Sequence, residues 1–111
     1  MLTLRTAIIS ILALLLAACS TVQVGMDFDM RAFETKVERG VSTQSQIRAW
    51  LGEPRGTGIN VDTNGEQFDE WTYYFAAGKL PNMSGATVKT LQIKFDRQGI
   101  VRGYNWSASG Q

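Results

Sequence analysis

The stretch Trp71-Thr72-Tyr73-Tyr74-Phe75 decides the fold of this chain. Trp71, Tyr73 and Phe75 alternate with Thr72 and Tyr74, and a period of two is typical of a β-strand with one buried face. Aromatic side chains bury large apolar areas, so the face bearing Trp71, Tyr73 and Phe75 is expected to point into the core. The same alternation places Tyr74 on the opposite face of the strand.

Two further strands are predicted downstream of this one. Leu91, Ile93 and Phe95 alternate with polar residues, which indicates a second strand with one buried face. A tight turn follows, and residues 100–106 predict a third strand that pairs with the second. The three strands together predict an antiparallel sheet.

The segments around these strands are predicted to be turns and loops. Asn64-Gly65 is a turn signal, because both residues tolerate positive φ, and the residues just before it predict a short extra strand. Residues 76–86 contain glycine, proline and asparagine in close succession, so they are predicted to form a mobile loop. Residues 107–111 are predicted to be a polar, frayed tail.

A first helix is predicted upstream of the sheet. Apolar residues recur at helical spacing from Met30 to Val37, with charged residues between them. Either Asp27 or Asp29 can cap its first turn through a side-chain oxygen. Gly40 is predicted to end it, since glycine often follows the last turn of a helix.

A second helix has clear signals at both ends. Thr43 and Gln46 fit a capping box, in which each side chain satisfies the other residue's backbone amide. Gly52 and Pro54 predict its end. Helices grouped before strands indicate an α+β domain, namely two N-terminal helices packed on a three-stranded antiparallel sheet as a two-layer sandwich.

The stretch Leu16-Ala17-Ala18-Cys19 closes an apolar run of 12 residues that follows Arg5, the single charge near the start of the chain. A basic start, a short apolar run and a small-residue cleavage site are typical of an export signal. The four residues resemble the lipobox of bacterial lipoproteins. That resemblance implies cleavage after Ala18, a diacylglyceryl thioether on Cys19 and an acyl chain on the new amino group. The alternative is an ordinary secretory signal that leaves Cys19 as a free thiol.

These features divide the chain into four segments. Residues 1–18 are predicted to be the signal peptide, 19–26 a lipidated leash, 27–106 the α+β domain and 107–111 the tail. Ser20, which follows the cysteine, is interpreted as an outer-membrane sorting signal. We therefore expect a protein held in the outer membrane by lipid and facing the periplasm.

Composition argues against several classes of function. There are 11 basic and 10 acidic residues, so the charge pattern does not indicate binding to nucleic acid. There is no histidine and one cysteine, so the chain lacks the preferred ligands of zinc and the usual base near neutral pH. Asp69 and Glu70 adjoin on a predicted strand and should point to opposite faces. We expect no enzymatic activity, no metal and no cofactor.

Binding is the class of function that remains, and exposed aromatic residues are the candidates, because interfaces favour such side chains. Tyr74 is the first, since it lies opposite the buried face of its strand. Tyr104 and Trp106 on the last strand are also candidates. The period alone leaves open whether Tyr104 and Trp106 or their neighbours face away from the helices.

Several of these segments together resemble a known family. Their order and spacing are similar to those of the SmpA/OmlA (BamE-like) family of outer-membrane lipoproteins. The residues that carry the resemblance are Gly40, Thr43, Gln46, Ile47, Leu51-Gly52-Glu53-Pro54, Trp71-Thr72-Tyr73-Tyr74-Phe75, Leu91-Gln92-Ile93-Lys94-Phe95-Asp96 and Gly99-Ile100-Val101.

The resemblance implies a non-enzymatic accessory protein in the inner leaflet of the outer membrane. Such a protein would support assembly or stability of β-barrel proteins by contacting other subunits of the β-barrel assembly machine, and it would also contact anionic phospholipid. Lys79 stands where an arginine is expected near the end of the aromatic strand, and it supplies the charge without arginine's planar fork. The alternative function is a stand-alone envelope lipoprotein that binds another periplasmic partner, as a hydrolase inhibitor or a stress-induced stabiliser.

Overall fold

The structure is a computed structural model that describes residues 2–18 and 21–110. Within these residues the chain forms three helices and five strands. In chain order these are α1 (Leu2–Ala18), β1 (Thr21–Gly25), α2 (Met30–Lys36), α3 (Gln44–Leu51), β2 (Gly56–Val61), β3 (Gln67–Lys79), β4 (Ser84–Phe95) and β5 (Val101–Ser109). The predicted α+β class is confirmed. None of the described helices is both long enough and apolar enough to cross a membrane.

The strands form one antiparallel sheet in the order β1-β3-β4-β5. Both β1 and β2 pair with β3. β2 pairs with the first half of β3, and β1 pairs with the last five residues of β3. The sheet therefore has two more strands than the three that the sequence predicts. The extra strand suggested before Asn64-Gly65 is β2, and the turn between β2 and β3 is closed by a 3.0 Å hydrogen bond from the Gly65 amide to the Asp62 carbonyl.

Three segments predicted to be irregular are strand in the structure. Residues 21–25, assigned to the leash, form β1. The predicted mobile loop at 76–86 is a hairpin in which β3 continues to Lys79 and β4 begins at Ser84. Residues 107–109, assigned to the frayed tail, complete β5. In each case pairing with a neighbouring strand, which depends on residues distant in sequence, decides the local structure.

Both predicted helices form, with one change of boundary. Asp29 is the N-cap of α2, and its side chain accepts a 3.0 Å hydrogen bond from the Ala32 amide. The helix ends at Lys36 rather than at Gly40, because Val37 is already extended. The capping box of Thr43 and Gln46 is present at the start of α3, and Gly52 caps its end.

Both α2 and α3 pack on one face of the sheet, which we call the helix face. Phe33 of α2 and Ile47 of α3 are fully buried. They join a core that contains the predicted inward residues of β3 and β4. Its buried members are Phe28, Met30, Phe33, Ile47, Trp71, Tyr73, Phe75, Leu91, Ile93, Phe95 and Val101.

Candidate functional site

The second face of the sheet, which we call the open face, carries a band of exposed side chains. Cross-strand partners in an antiparallel sheet point to the same side, so the register assigns each residue to a face. Val24 pairs with Ala76, which pairs with Val88 on its other side. Tyr74 lies one row away on this face. We call Val24, Tyr74, Ala76 and Val88 the open-face patch.

The patch is apolar and accessible. Val24 is 52% exposed, Val88 43% and Tyr74 38%. Beyond Tyr74 the open face becomes polar, because Thr72 pairs with Gln92 and Gln92 with Asn105. An apolar, aromatic cluster beside hydrogen-bonding side chains can bind another protein through contact and hydrogen bonds.

Gly25 at the end of β1 lets the Tyr74 ring lie against the chain. Its φ is +78°, and a Cβ atom added there would lie 2.4 Å from the Tyr74 carbonyl oxygen and 3.0 Å from a ring carbon. Any other residue would be strained in this conformation and would also collide with Tyr74. The exposed tyrosine is thus positioned by the close approach of two strands.

The structure answers the question that the period left open for β5. Trp106 pairs with Leu91 and Tyr104 with Ile93, and both partners are buried in the core. Tyr104 and Trp106 therefore lie on the helix face, whereas Asn105 lies on the open face. Tyr74 is not brought together with them.

Tyr104 and Trp106 are nevertheless accessible, because β5 is the edge strand of the sheet. Tyr104 is 43% exposed and Trp106 is 48% exposed. The Tyr104 ring meets Phe33 edge-on with ring centroids 5.0 Å apart. They form a second exposed aromatic site on the opposite side of the sheet.

Lys79 lies away from both aromatic sites. It is the last residue of β3, where it pairs with Thr21 of β1 and Ser84 of β4. Cys19, the predicted lipid attachment residue, lies outside the residues that the structure describes.

The sequence reasoning missed a largely buried cation on the helix face. The Lys89 side chain is only 12% exposed, and its ammonium group forms an ion pair with Asp27. It also donates a 2.7 Å hydrogen bond to the Phe28 carbonyl. Its Nζ lies 5.1 Å from the ring centroid of Phe28 and 5.5 Å from that of Phe75. Lys89 ties β4 to the segment before α2, next to a groove of 540 Å³.

A lysine in the alternating polar series of β4 is ordinarily interpreted as solvent-facing. The available signal was its position, since Lys89 is two residues before Leu91 and therefore shares the inward side of the strand.

Among the residues that the structure describes, two titratable groups have clearly shifted pKa values, and both belong to structural contacts. Burial raises the pKa of Tyr73 to about 12, and its hydroxyl donates a 2.8 Å hydrogen bond to the Gly52 carbonyl. The backbone N–H of Ile100 donates to Asp96 and lowers its pKa, with further support from Arg102. Within residues 2–18 and 21–110, no group of three or more His, Cys, Asp or Glu residues is arranged to bind a metal ion.

Comparison of the chain with models of known protein families finds no match, and comparison with curated proteins also finds none.

Proposed function

We propose that this protein is a lipid-anchored accessory subunit that supports the assembly or stability of outer-membrane β-barrel proteins by protein–protein contact. The observation that carries the proposal is the open-face patch. Tyr74 is exposed there beside the cross-strand row of Val24, Ala76 and Val88. An exposed tyrosine at the border between an apolar row and a polar surface is a residue type that binding hot spots favour.

The resemblance in sequence supplies the identity of the expected partners. The motifs similar to SmpA/OmlA proteins include parts of α3, β3 and β4, and these elements contribute buried residues to the core. The α+β architecture is compatible with that resemblance. The proposed partners are other subunits of the β-barrel assembly machine.

The lipid anchor is part of the proposal. Conversion of Cys19 to a thioether would add chains whose burial is worth about 0.8 kcal/mol per methylene, and several chains together hold a protein on a membrane durably. Cys19→Ala should release the protein from washed membranes. Intact mass spectrometry of the purified protein checks the modification directly. An unmodified sulfhydryl or a different N-terminus would refute the anchor.

The partner test is co-purification after mild detergent extraction. The tagged protein should retain the barrel-forming subunit of the assembly machine. Recovery of the tagged protein alone, under conditions that keep the machine intact, would refute the proposed partners. Photo-crosslinking from an unnatural residue at position 74 identifies what lies against the open face. Major products other than assembly subunits would favour a stand-alone lipoprotein with a different partner.

Matched variants separate the two aromatic sites. Tyr74→Ala removes the aromatic side chain of the open-face patch and should reduce capture of the partner severalfold. Trp106→Ala removes a side chain of similar exposure on the helix face, and it should leave capture unchanged. The opposite result would move the binding site to the β5 edge.

A further inference from the structure

The hairpin between β3 and β4 lies at the same end of the sheet as the start of β1. Thr21, the first residue of β1, pairs with Lys79, and Lys79 pairs with Ser84. We call residues 79–84 the hairpin tip. Because β1 and β3 are antiparallel, the end of β3 lies beside the beginning of β1.

The distance from the proposed anchor to the tip is short. Cys19 precedes Thr21 by two residues, which span at most about 7 Å. Paired Cα atoms in antiparallel strands are about 4.5–5.5 Å apart. The Cα atom of Lys79 therefore lies within about 12 Å of the residue proposed to carry the lipid. Because the chain is ordered from Thr21 onward, the proposed lipid attachment site lies only two residues before the sheet.

The composition of the tip suits the surface of a bilayer. Leu80 is 46% exposed and Met83 is 39% exposed. The Asn82 side chain accepts a 3.2 Å hydrogen bond from the Ser84 amide, which shapes the turn. The Met83 side chain lies over Gly78, where an added Cβ would come within 2.7 Å of the methionine methyl. Two exposed apolar side chains are thus presented at the end of an ordered turn.

The charges near the tip favour the same surface. Lys79 is exposed at the edge of the tip, and the sequence from Trp71 to Phe95 contains no aspartate or glutamate. Leaflets with anionic lipids attract basic groups and repel carboxylates.

We propose that the hairpin tip is a second membrane contact, which inserts Leu80 and Met83 at the boundary between headgroups and acyl chains and places Lys79 among the phosphates. This inference rests on the lipid anchor at Cys19 in the proposed function. Each headgroup region is roughly 5–8 Å thick, so a tip held near the anchor reaches this depth. Two contacts at one end would hold the sheet upright on the membrane.

The experiment uses the full lipidated protein in vesicles that contain nitroxide-labelled lipids. An environment-sensitive fluorophore is attached to Leu80→Cys, or to Val61→Cys as the matched control. Val61 is 58% exposed and pairs with Gln67 at the far end of β3. The 13 residues of β3 place the control about 40 Å from the tip. Vesicles of phosphatidylcholine alone and with phosphatidylglycerol are compared.

We expect blue-shifted emission and severalfold stronger quenching from position 80 than from position 61 in both vesicles, with a further increase when phosphatidylglycerol is present. Met83→Asp in the Leu80→Cys chain should reduce the quenching. Equal quenching from the two positions, with the lipid on Cys19 verified by mass, would overturn the membrane contact and leave the anchor intact. A mass without lipid would instead refute the anchor, and the tip proposal with it.

Discussion

Truncation of Tyr73 tests the assignment of the two faces of β3. Tyr73 is 1% exposed, and its ring lies 5.7 Å from the ring of Phe28, centroid to centroid. Removing a large buried aromatic side chain costs about 3–5 kcal/mol. Loss of the hydroxyl's hydrogen bond to the Gly52 carbonyl adds about 1 kcal/mol. We therefore expect Tyr73→Ala to lower the free energy of unfolding by roughly 4–6 kcal/mol.

This loss is large for a small domain. Domains of this size are stable by about 5–15 kcal/mol in total, and each kcal/mol lost shifts Tm by about 4–8 °C. Tyr73→Ala should therefore lower Tm by at least about 16 °C, measured by circular dichroism. Tyr74→Ala alters a neighbouring side chain of the same type that is 38% exposed, and it should cost about 1 kcal/mol or less. Equal losses of Tm in the two variants would refute the assignment of faces.

A conservative variant separates the hydroxyl of Tyr73 from its ring. Tyr73→Phe keeps the packing and should cost about 1 kcal/mol at pH 7. Burial raises the pKa of Tyr73 to about 12, above the value near 10 of an unfolded tyrosine. The neutral hydroxyl therefore adds stability that is complete below pH 10 and is lost as the pH rises toward 12. Between pH 9 and pH 11, the urea midpoint of unfolding should fall more in the wild type than in Tyr73→Phe. An equal fall in the two proteins would contradict this assignment.

Four further substitutions probe individual contacts. Gly25→Ala forces a Cβ against the Tyr74 carbonyl at positive φ, so a loss of roughly 1–3 kcal/mol is expected in chemical denaturation. Lys89→Ala should lower the free energy of unfolding by about 1.5–3 kcal/mol, because it removes charged hydrogen bonds. Asp27→Asn changes the exposed partner and should lower it by less than about 1 kcal/mol. Equal losses in the two variants would refute the burial of Lys89. The fold lowers the pKa of Asp96, so its carboxylate stabilises the fold at pH values above the unfolded pKa of about 4. The difference in Tm between the wild type and Asp96→Asn should therefore become smaller as the pH is lowered below about 4.

The parts of the fold that the sequence predicted correctly are those specified by local chemistry. The alternation around Tyr73 repeats over several residues, and the burial of Trp71, Tyr73 and Phe75 follows it. The capping box of Thr43 and Gln46 is likewise a contact between residues three positions apart, so it needs no information about the rest of the chain.

The parts that were missed depend on residues distant in sequence. Residues 21–25 are too short to indicate a strand alone, and they become β1 because the end of β3 offers unpaired backbone groups. The local composition of residues 76–86 predicts one long loop, because glycine, proline and asparagine are frequent there, and this prediction does not resolve the hairpin at 79–84. Extension of β3 to Lys79 depends on simultaneous pairing with β1 and β4, which no local window contains.

Tyr74 is the one member of the open-face patch that the sequence predicts, because Val24 and Ala76 lie in segments predicted to be leash and loop, and Val88 joins them only through pairing in the sheet. Tyr74 was placed on the outer face by alternation, and its exposure agrees with that placement. Alternation in β5 alone does not predict which face of the sheet Trp106 lies on. The face depends on the register between β5 and β4, which the sequence pattern of one strand does not contain. The pairing of Trp106 with buried Leu91 resolves it.

The proposed membrane contact limits how a partner can approach the open-face patch. Val24 and Ala76 are paired three residues from the Thr21–Lys79 pair, a separation of about 10 Å along the strands. If the hairpin tip touches the bilayer, the patch stands just above the headgroups and faces sideways. A partner that covers Tyr74 must then lie beside this protein on the same membrane, as a barrel-forming or lipid-anchored protein does. Trp106 pairs with Leu91, the partner of Tyr73, so it lies at nearly the same height as Tyr74 but on the opposite face, and crosslinking from each position identifies the face that a partner covers.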